Sequence, residues 1–472
     1  MPEPLTKELG DRLRSVVGDA WVIADADRLL AYESDGLTAY RKTPGAVVLP
    51  RDTDEVSRVL GILSQEAVPV VPRGAGTGLS GGALAHGDAV VVGTARMTDM
   101  LALDPANRLA RVQPGMINVN LTTAAEPFGL YYAPDPSSQS ACTLGGNVAE
   151  NSGGPHCLKY GVTSRYVTGL TIVTYDGKIV EMGGFGREPG GYDLLGLFVG
   201  SEGCFGIATE IEVRLLPKPE GVRTLLAIFD RLGDAGSAVT EIMAEGLPPA
   251  ALEIIDGPTI RAVEASVFAA GFPTDAEAAL VIEFDGIEAG LGSDVERAVV
   301  QCRAAAAREV RLADSEEERL ALWRGRKKAF GAMGQIASDL MVQDGTVPRS
   351  KLTEVLEQIS EIGVRHDLTI ANVFHAGDGN LHPNLLFDRS DPEELSRVER
   401  ASTEIMSVCV EAGGTITGEH GVGLDKRRYM SLVHSPEELD AMRRIKAVFD
   451  PLGRMNPGKV LPDLPDSAGA AP

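Results

Sequence analysis

The chain has 472 residues, too many for one ordinary core, so two or three domains are expected. Its 44 Lys and Arg against 67 Asp and Glu give a formal charge of −23, which argues against a nucleic-acid or anionic-membrane surface but leaves room for an anionic small substrate at a locally basic pocket. The cysteines (Cys142, Cys157, Cys204, Cys302, Cys409) are scattered, odd in number and never paired as CxxC, which argues against a disulfide framework, a zinc ribbon or an iron–sulfur cluster and for a cytoplasmic setting.

Leu5, Leu9, Leu13 and Val17 recur at four-residue spacing, interleaved with Glu8 and Asp11, and predict a soluble amphipathic helix rather than a leader peptide. No apolar run reaches membrane-spanning length. AVVLP (46–50) predicts a strand, and Asp52 with Glu55 predicts a capping box for a helix carrying Val56, Val59, Leu60 and Leu63. Strands are expected at VPVVP (68–72), from 89 at AVVVG, and at IATEIEVRLL from Ile207. Beyond Pro217 the pattern turns to longer helices (234–245, 291–309, 315–339, 351–366, 393–412) separated by strands such as 280–284 and 369–374. Ser435, Pro436 and Glu438 open a last helix that Asp450-Pro451 closes. The expected division is a helical segment over 1–38, a first domain over 39–217, a second over 218–462, and a disordered tail over 463–472.

GTGLSG (76–81) fits the dinucleotide pattern GxGxxG, but that pattern needs a long helix directly after the glycines, and here a new strand follows within a few residues. What remains is a loop between strands, either a flexible surface turn or a nest of backbone N–H groups for an anion. PDPSSQSACTLGGNVAENSGGPHCLKYGVT (134–163) is rich in small residues and nearly uncharged, which suits close backbone approach to a large planar ligand. GSEGCFGIATEIEVRLLPKP (200–219) adds a third glycine cluster leading into a strand.

FHAGDGNLH (374–382) places two of seven histidines around a loop of glycines, Asp and Asn. A hairpin turn at Gly377–Asn380 would set His375 opposite His382, with Cβ atoms roughly 5 Å apart, close enough for one divalent metal. Glu419 and His420, between glycines in GTITGEHGVG (414–423), offer further ligands if the glycines allow a kink that turns both side chains one way. The same spacing also fits two hairpin histidines packed in a core and an unrelated surface Glu-His.

Together PRGAGTGLSGG, LGGNVAENSGGPHCLKYG, GSEGCFGI, HAGDGNLHP, GEHGVG and NPGK resemble the FAD-linked oxidoreductases of the vanillyl-alcohol oxidase and p-cresol methylhydroxylase (PCMH) superfamily. Within it they are similar to the branch of glycolate oxidase flavin subunits, D-lactate dehydrogenases and D-2-hydroxyglutarate dehydrogenases. The resemblance implies an α+β fold: a PCMH-type FAD-binding domain of two subdomains, plus an α+β cap domain with an antiparallel sheet whose last helix returns to the first domain. It implies that Arg73, Gly74, Ala75, Gly76 and Thr77 hold the pyrophosphate. Pro134, Asp135, Ser137, Ser138, Thr143, Gly145, Gly146, Asn147 and Gly153 would line the flavin, with Ile207 near the adenine and Asn456 returning from the last helix. Members with covalent flavin often carry a His in the first glycine loop; RGAGTGLSGG has none, so non-covalent FAD is expected.

The resemblance further implies that His375, His382 and Glu419 bind zinc or a similar divalent ion, and that His420 is the catalytic base. Arg326, three residues after Trp323 in LWRGRKKAF, matches the family's substrate arginine; the alternative is a solvated basic helix face, since Arg324, Lys327 and Lys328 adjoin it. The implied reaction oxidises a small 2-hydroxy acid to the 2-oxo acid, with hydride passing to the flavin. Val342 stands where the 2-hydroxyglutarate enzymes carry a Lys for a second carboxylate, which favours a monocarboxylate of the glycolate or D-lactate type. D-2-hydroxyglutarate oxidation, a non-redox flavoprotein of the same superfamily, and a metal-dependent hydrolase are the competing readings. Electrons are expected to leave through a separate acceptor, such as an iron–sulfur or quinone-linked partner subunit, and a homodimer is compatible with the resemblance.

Overall fold

The computed structural model describes residues 5–85, 87–184 and 190–463. The tail from 464 onward, expected to be disordered, lies outside the described residues. Thr6 caps the first helix, Lys7–Val17, by accepting from the Leu9 N–H, and the helix buries the predicted Leu9, Leu13 and Val17. They pack on a four-stranded sheet in the order Val22–Ile23, Ala46–Val48, Val90–Gly93, Val70–Arg73, whose last three strands run parallel. Such strands are covered on both faces, which is why they read as unbroken runs of Val rather than as alternation.

The helix Thr53–Gln65 packs against this layer. Asp52 accepts from the Glu55 N–H as expected, but the Glu55 carboxylate reaches one residue further back, to the Arg51 N–H, so the box is offset. After Arg73 the chain enters the glycine loop with no helix among the described residues before Val90, as the short spacing requires. A second, antiparallel sheet follows: Met100–Asp104, Leu109–Val112, Ile207–Arg214, Val167–Val173, Ile179–Gly183.

The described strands beyond Gly221 all belong to a nine-stranded antiparallel sheet. In Gly221–Phe229, Leu225, Ala227 and Phe229 face one helix-covered core while Leu226 and Ile228 face another, because side chains alternate along a strand. The predicted helix over 315–339 is in fact Glu316–Lys327 followed by the short Ala329–Met333, and Asp339–Val342 has become a strand paired with Pro383–Phe387. Leu340 and Met341 pair there with Leu386 and Leu385, so cross-strand apolar partners fix the strand that follows the shortened helix. The last helix, Pro436–Phe449, has the full capping box between Ser435 and Glu438.

The hairpin register departs from the expectation. His375 pairs with Asn380, not His382, and Asn372 pairs with Pro383, so the turn starts two residues earlier in the partner strand's frame. A shift of two keeps every side chain on its face. His375 and His382 therefore stay together as diagonal neighbours, with ring centroids 5.1 Å apart and edge to face.

Candidate active site

The cavity lies where the first glycine loop, the 137–153 segment and the 200–208 segment meet the large sheet. Of the residues expected at the cofactor, Arg73, Gly74, Ala75, Gly76, Thr77, Ser137, Ser138, Thr143, Gly145, Gly146, Asn147, Gly153 and Ile207 line it. Pro134, Asp135 and Asn456 do not. The Pro134 carbonyl accepts from Asn118, the Asp135 carboxylate binds His156 and Lys327, and Asn456 Nδ2 donates to the carbonyls of Gly82 and Glu202. These three support the wall from behind.

The wall suits a large anionic, planar cofactor. Gly76 has φ +70, and a Cβ there would run into the Arg73 guanidinium, whose NH1 is buried without a partner beside the cavity. A Cβ on Gly74 would come within 2.5 Å of Thr143 Oγ1. Glycine in these positions lets the loop pack closely on Arg73 and Thr143, and the unpartnered arginine nitrogen suits an anion beside it. At the far end, a Cβ on Gly153 would approach Glu419 Oε2 to 2.6 Å, so the 137–153 segment touches the histidine cluster directly.

That cluster gathers around one oxygen. The Nε2 atoms of His375, His382 and His420 stand 3.0, 3.3 and 3.8 Å from Glu419 Oε1. His375 and His382 are buried, and both ring nitrogens of His382 lack a hydrogen-bond partner. Donor atoms of His375, His382 and Glu419 lie within 4.8 Å of one another, as do those of Asp344, His382 and His420. Two imidazoles and a carboxylate are a donor set for zinc or a similar ion that keeps positions open.

Glu253 and Asp344, neither expected from the sequence, hold this set in place. Glu253 Oε1 lies 2.8 Å from His375 Nδ1 and fixes which nitrogen faces Glu419, the way a carboxylate orients a metal-ligating imidazole. Burial alone would lower the His375 pKa, but the Glu253 and Glu419 carboxylates outweigh it and push it up to about 10. The pocket favours a positive charge at this point. Asp344 accepts from Thr417 Oγ1, from the N–H groups of Gly418 and His420, and from Lys426 Nζ at 3.1 Å. It thereby bends the glycine-flanked segment so that Glu419 and His420 point one way, as expected.

His420 differs from its neighbours. Its ring stacks on His382 at 4.7 Å and 8°, its Nδ1 has no partner, and burial pushes its pKa down to about 4 against the pull of Asp344. It is a neutral imidazole at neutral pH, ready to accept a proton. Arg326 lies on the cavity wall, not on the solvated face that Arg324 and Lys328 occupy. Its Nε donates to Glu253 Oε2 at 2.6 Å, and its NH1 is buried without a partner.

A flavin-sized cleft of glycine loops abutting a His–His–Glu cup under an antiparallel cap defines an FAD-linked oxidoreductase of the PCMH type. The chain belongs to that family: residues 44–183 match the FAD binding domain and residues 218–460 match the C-terminal domain of FAD linked oxidases. It is 47% identical to the glycolate oxidase subunit GlcD of Escherichia coli (strain K12) over 452 residues, covering 96% of this chain and 90% of that one. It is 33% identical to a D-lactate dehydrogenase of Anaerostipes hadrus, covering 91% and 92%. Among solved structures, p-cresol methylhydroxylase with substrate bound superposes with a TM-score of 0.81 at 16% identity, covering 98% of this chain and all (100%) of that one. Alkyldihydroxyacetonephosphate synthase gives 0.78 at 18%, covering 97% and 86%.

Proposed function

We propose that the protein is an FAD-dependent dehydrogenase that oxidises a small 2-hydroxy acid, of the glycolate or D-lactate type, to the 2-oxo acid. The observation that supports this reading is the close approach of Gly153 to Glu419, which brings a His–His–Glu cup against the segment expected to line the flavin. Bound FAD supplies the two-electron acceptor, and a divalent ion held by His375, His382 and Glu419, zinc by donor type, supplies a Lewis acid.

The chain's own residues do the rest. Arg326 NH1, the unpartnered arm, receives the substrate carboxylate by a charge-assisted hydrogen bond. His420 accepts the hydroxyl proton at Nε2, the nitrogen on the cup's side. Glu253 keeps both Arg326 and His375 in line, since one carboxylate serves the two. FAD is held without a covalent link, because no histidine stands in the first glycine loop. The electrons pass on to a separate acceptor, which agrees with the relatives' description as subunits of a glycolate oxidase.

Anaerobic mixing of the yellow protein with glycolate or D-lactate should bleach the flavin, and acid precipitation should leave that flavin in solution. A flavin that stays oxidised with every 2-hydroxy acid would instead favour a non-redox role.

A further inference from the structure

Arg326 is not the only cation on the cavity wall. Lys327, the next residue on the same helix, also lines it. Arg326 has given Nε and NH2 to Glu253, so much of its charge is already answered. Lys327 Nζ makes one bond, 2.9 Å to Asp135 Oδ2, and an ammonium has three N–H donors.

Asp135 Oδ2 is itself shared. His156 Nδ1 approaches it to 2.8 Å, and His156 Nε2 lies 3.0 Å from Glu283 Oε1. Glu283 comes from the large sheet, where its other oxygen accepts from Trp323 Nε1 at 2.6 Å, from Thr224 Oγ1 and from Arg319. The His156 ring lies against Trp323 at 5.0 Å, and Lys327 Nζ sits 5.9 Å from the same indole. A relay of buried or half-buried groups thus runs from the cap sheet through His156, which belongs to the flavin-side segment, and back to the cap helix.

We propose that Lys327 is a second anchor for the substrate carboxylate, and that His156 is a positioning residue that holds Lys327 in the wall through Asp135. The inference rests on the reading of the cavity as a 2-hydroxy acid site. The one Asp135 oxygen divides its charge between His156 and Lys327, so neither is fully neutralised and Lys327 keeps an attraction for an entering anion. His156 stays charged while it does this. Burial would lower its pKa, but Asp135 and Glu283 push it up to about 10. Burial would likewise raise the Asp135 pKa, yet Lys327 and His156 hold the carboxyl well below its usual range.

The test uses the FAD-loaded enzyme with glycolate. Lys327→Met should raise KM roughly tenfold, the loss of one charged hydrogen bond, with a much smaller change in kcat and unchanged FAD content. Lys327→Arg should recover most of the parental KM. His156→Gln should raise KM in the parent but add nothing in the Lys327→Met background, because it acts through that side chain. A merely structural His156 would instead add its full effect in both backgrounds and overturn the positioning role. Parental KM in Lys327→Met overturns the anchor while leaving the 2-hydroxy acid reading intact. A parent enzyme that no 2-hydroxy acid reduces removes both.

Discussion

His420, His375 and His382 share one carboxylate oxygen and yet have different chemistry, because their second partners differ. His375 has Glu253 behind it and is held charged unless a cation takes the proton's place, whereas burial and the stacked His382 ring outweigh the pull of Asp344 on His420 and keep it neutral. His420→Ala should therefore keep FAD and bound metal but lose flavin reduction by roughly 10² to 10⁴ in rate, measured by anaerobic stopped flow. Loss of metal with the chemistry would make His420 a ligand, a role its place in the Asp344–His382–His420 group allows. Four of these residues were legible in the sequence because glycines isolate them: HAGDGNLH and TGEHGVG advertise histidines and a glutamate freed from regular structure. Glu253 was not. A single Glu in the apolar strand Ala251–Asp256 means nothing until pairing brings it beside His375, 122 residues away. Pro134, Asp135 and Asn456, expected at the cofactor, do not line the cavity, since motif position marks a segment and not the direction of each side chain.

At the scale of elements, turns decide geometry more than strands do. The hairpin at 376–379 forms as Asp-Gly leads one to expect, but the pairing moves by two residues because the Gly377 N–H is claimed by the Leu252 carbonyl and the Gly379 carbonyl by the Val347 N–H. Those partners are far away in sequence, so local turn preference could not supply the register. Period-two alternation rescued the conclusion, since a two-residue shift leaves both histidines on one face. The kinked 417–420 segment depends in the same way on a distant residue, Asp344, which is wholly buried with Lys426. Asp344→Ala would strand that ammonium and free several N–H groups, so it should destabilise the protein by about 3–5 kcal/mol. Urea unfolding measures this, and a midpoint equal to the parent's would show that the segment holds its shape by other means.

Over the whole molecule, two differently built parts enclose one cleft. A mostly parallel and an antiparallel sheet carry the glycine loops, and the nine-stranded sheet with its helices and loops brings the histidines, Arg326 and Lys327 to the same seam. The class of each part was readable from the shift in pattern near Pro217, because short Gly- and Pro-rich strands and long amphipathic helices differ over tens of residues. The seam itself was not readable, since its bonds join distant segments: Glu202 to the N–H groups of Val422 and Gly423 spans 220 and 221 residues, and His156 to Glu283 spans 127. Net charge does not describe the cavity: the chain is strongly acidic, yet Arg73, Arg326 and Lys327 all line it, the locally basic pocket that the composition left room for. The central claim is that cup and flavin act on one substrate, and metal removal tests it most directly. The FAD-loaded protein, stripped of divalent ions by a chelator and mixed anaerobically with glycolate or D-lactate, should keep its yellow colour and bleach once zinc is restored. Flavin reduction at the parental rate in the stripped protein would contradict it.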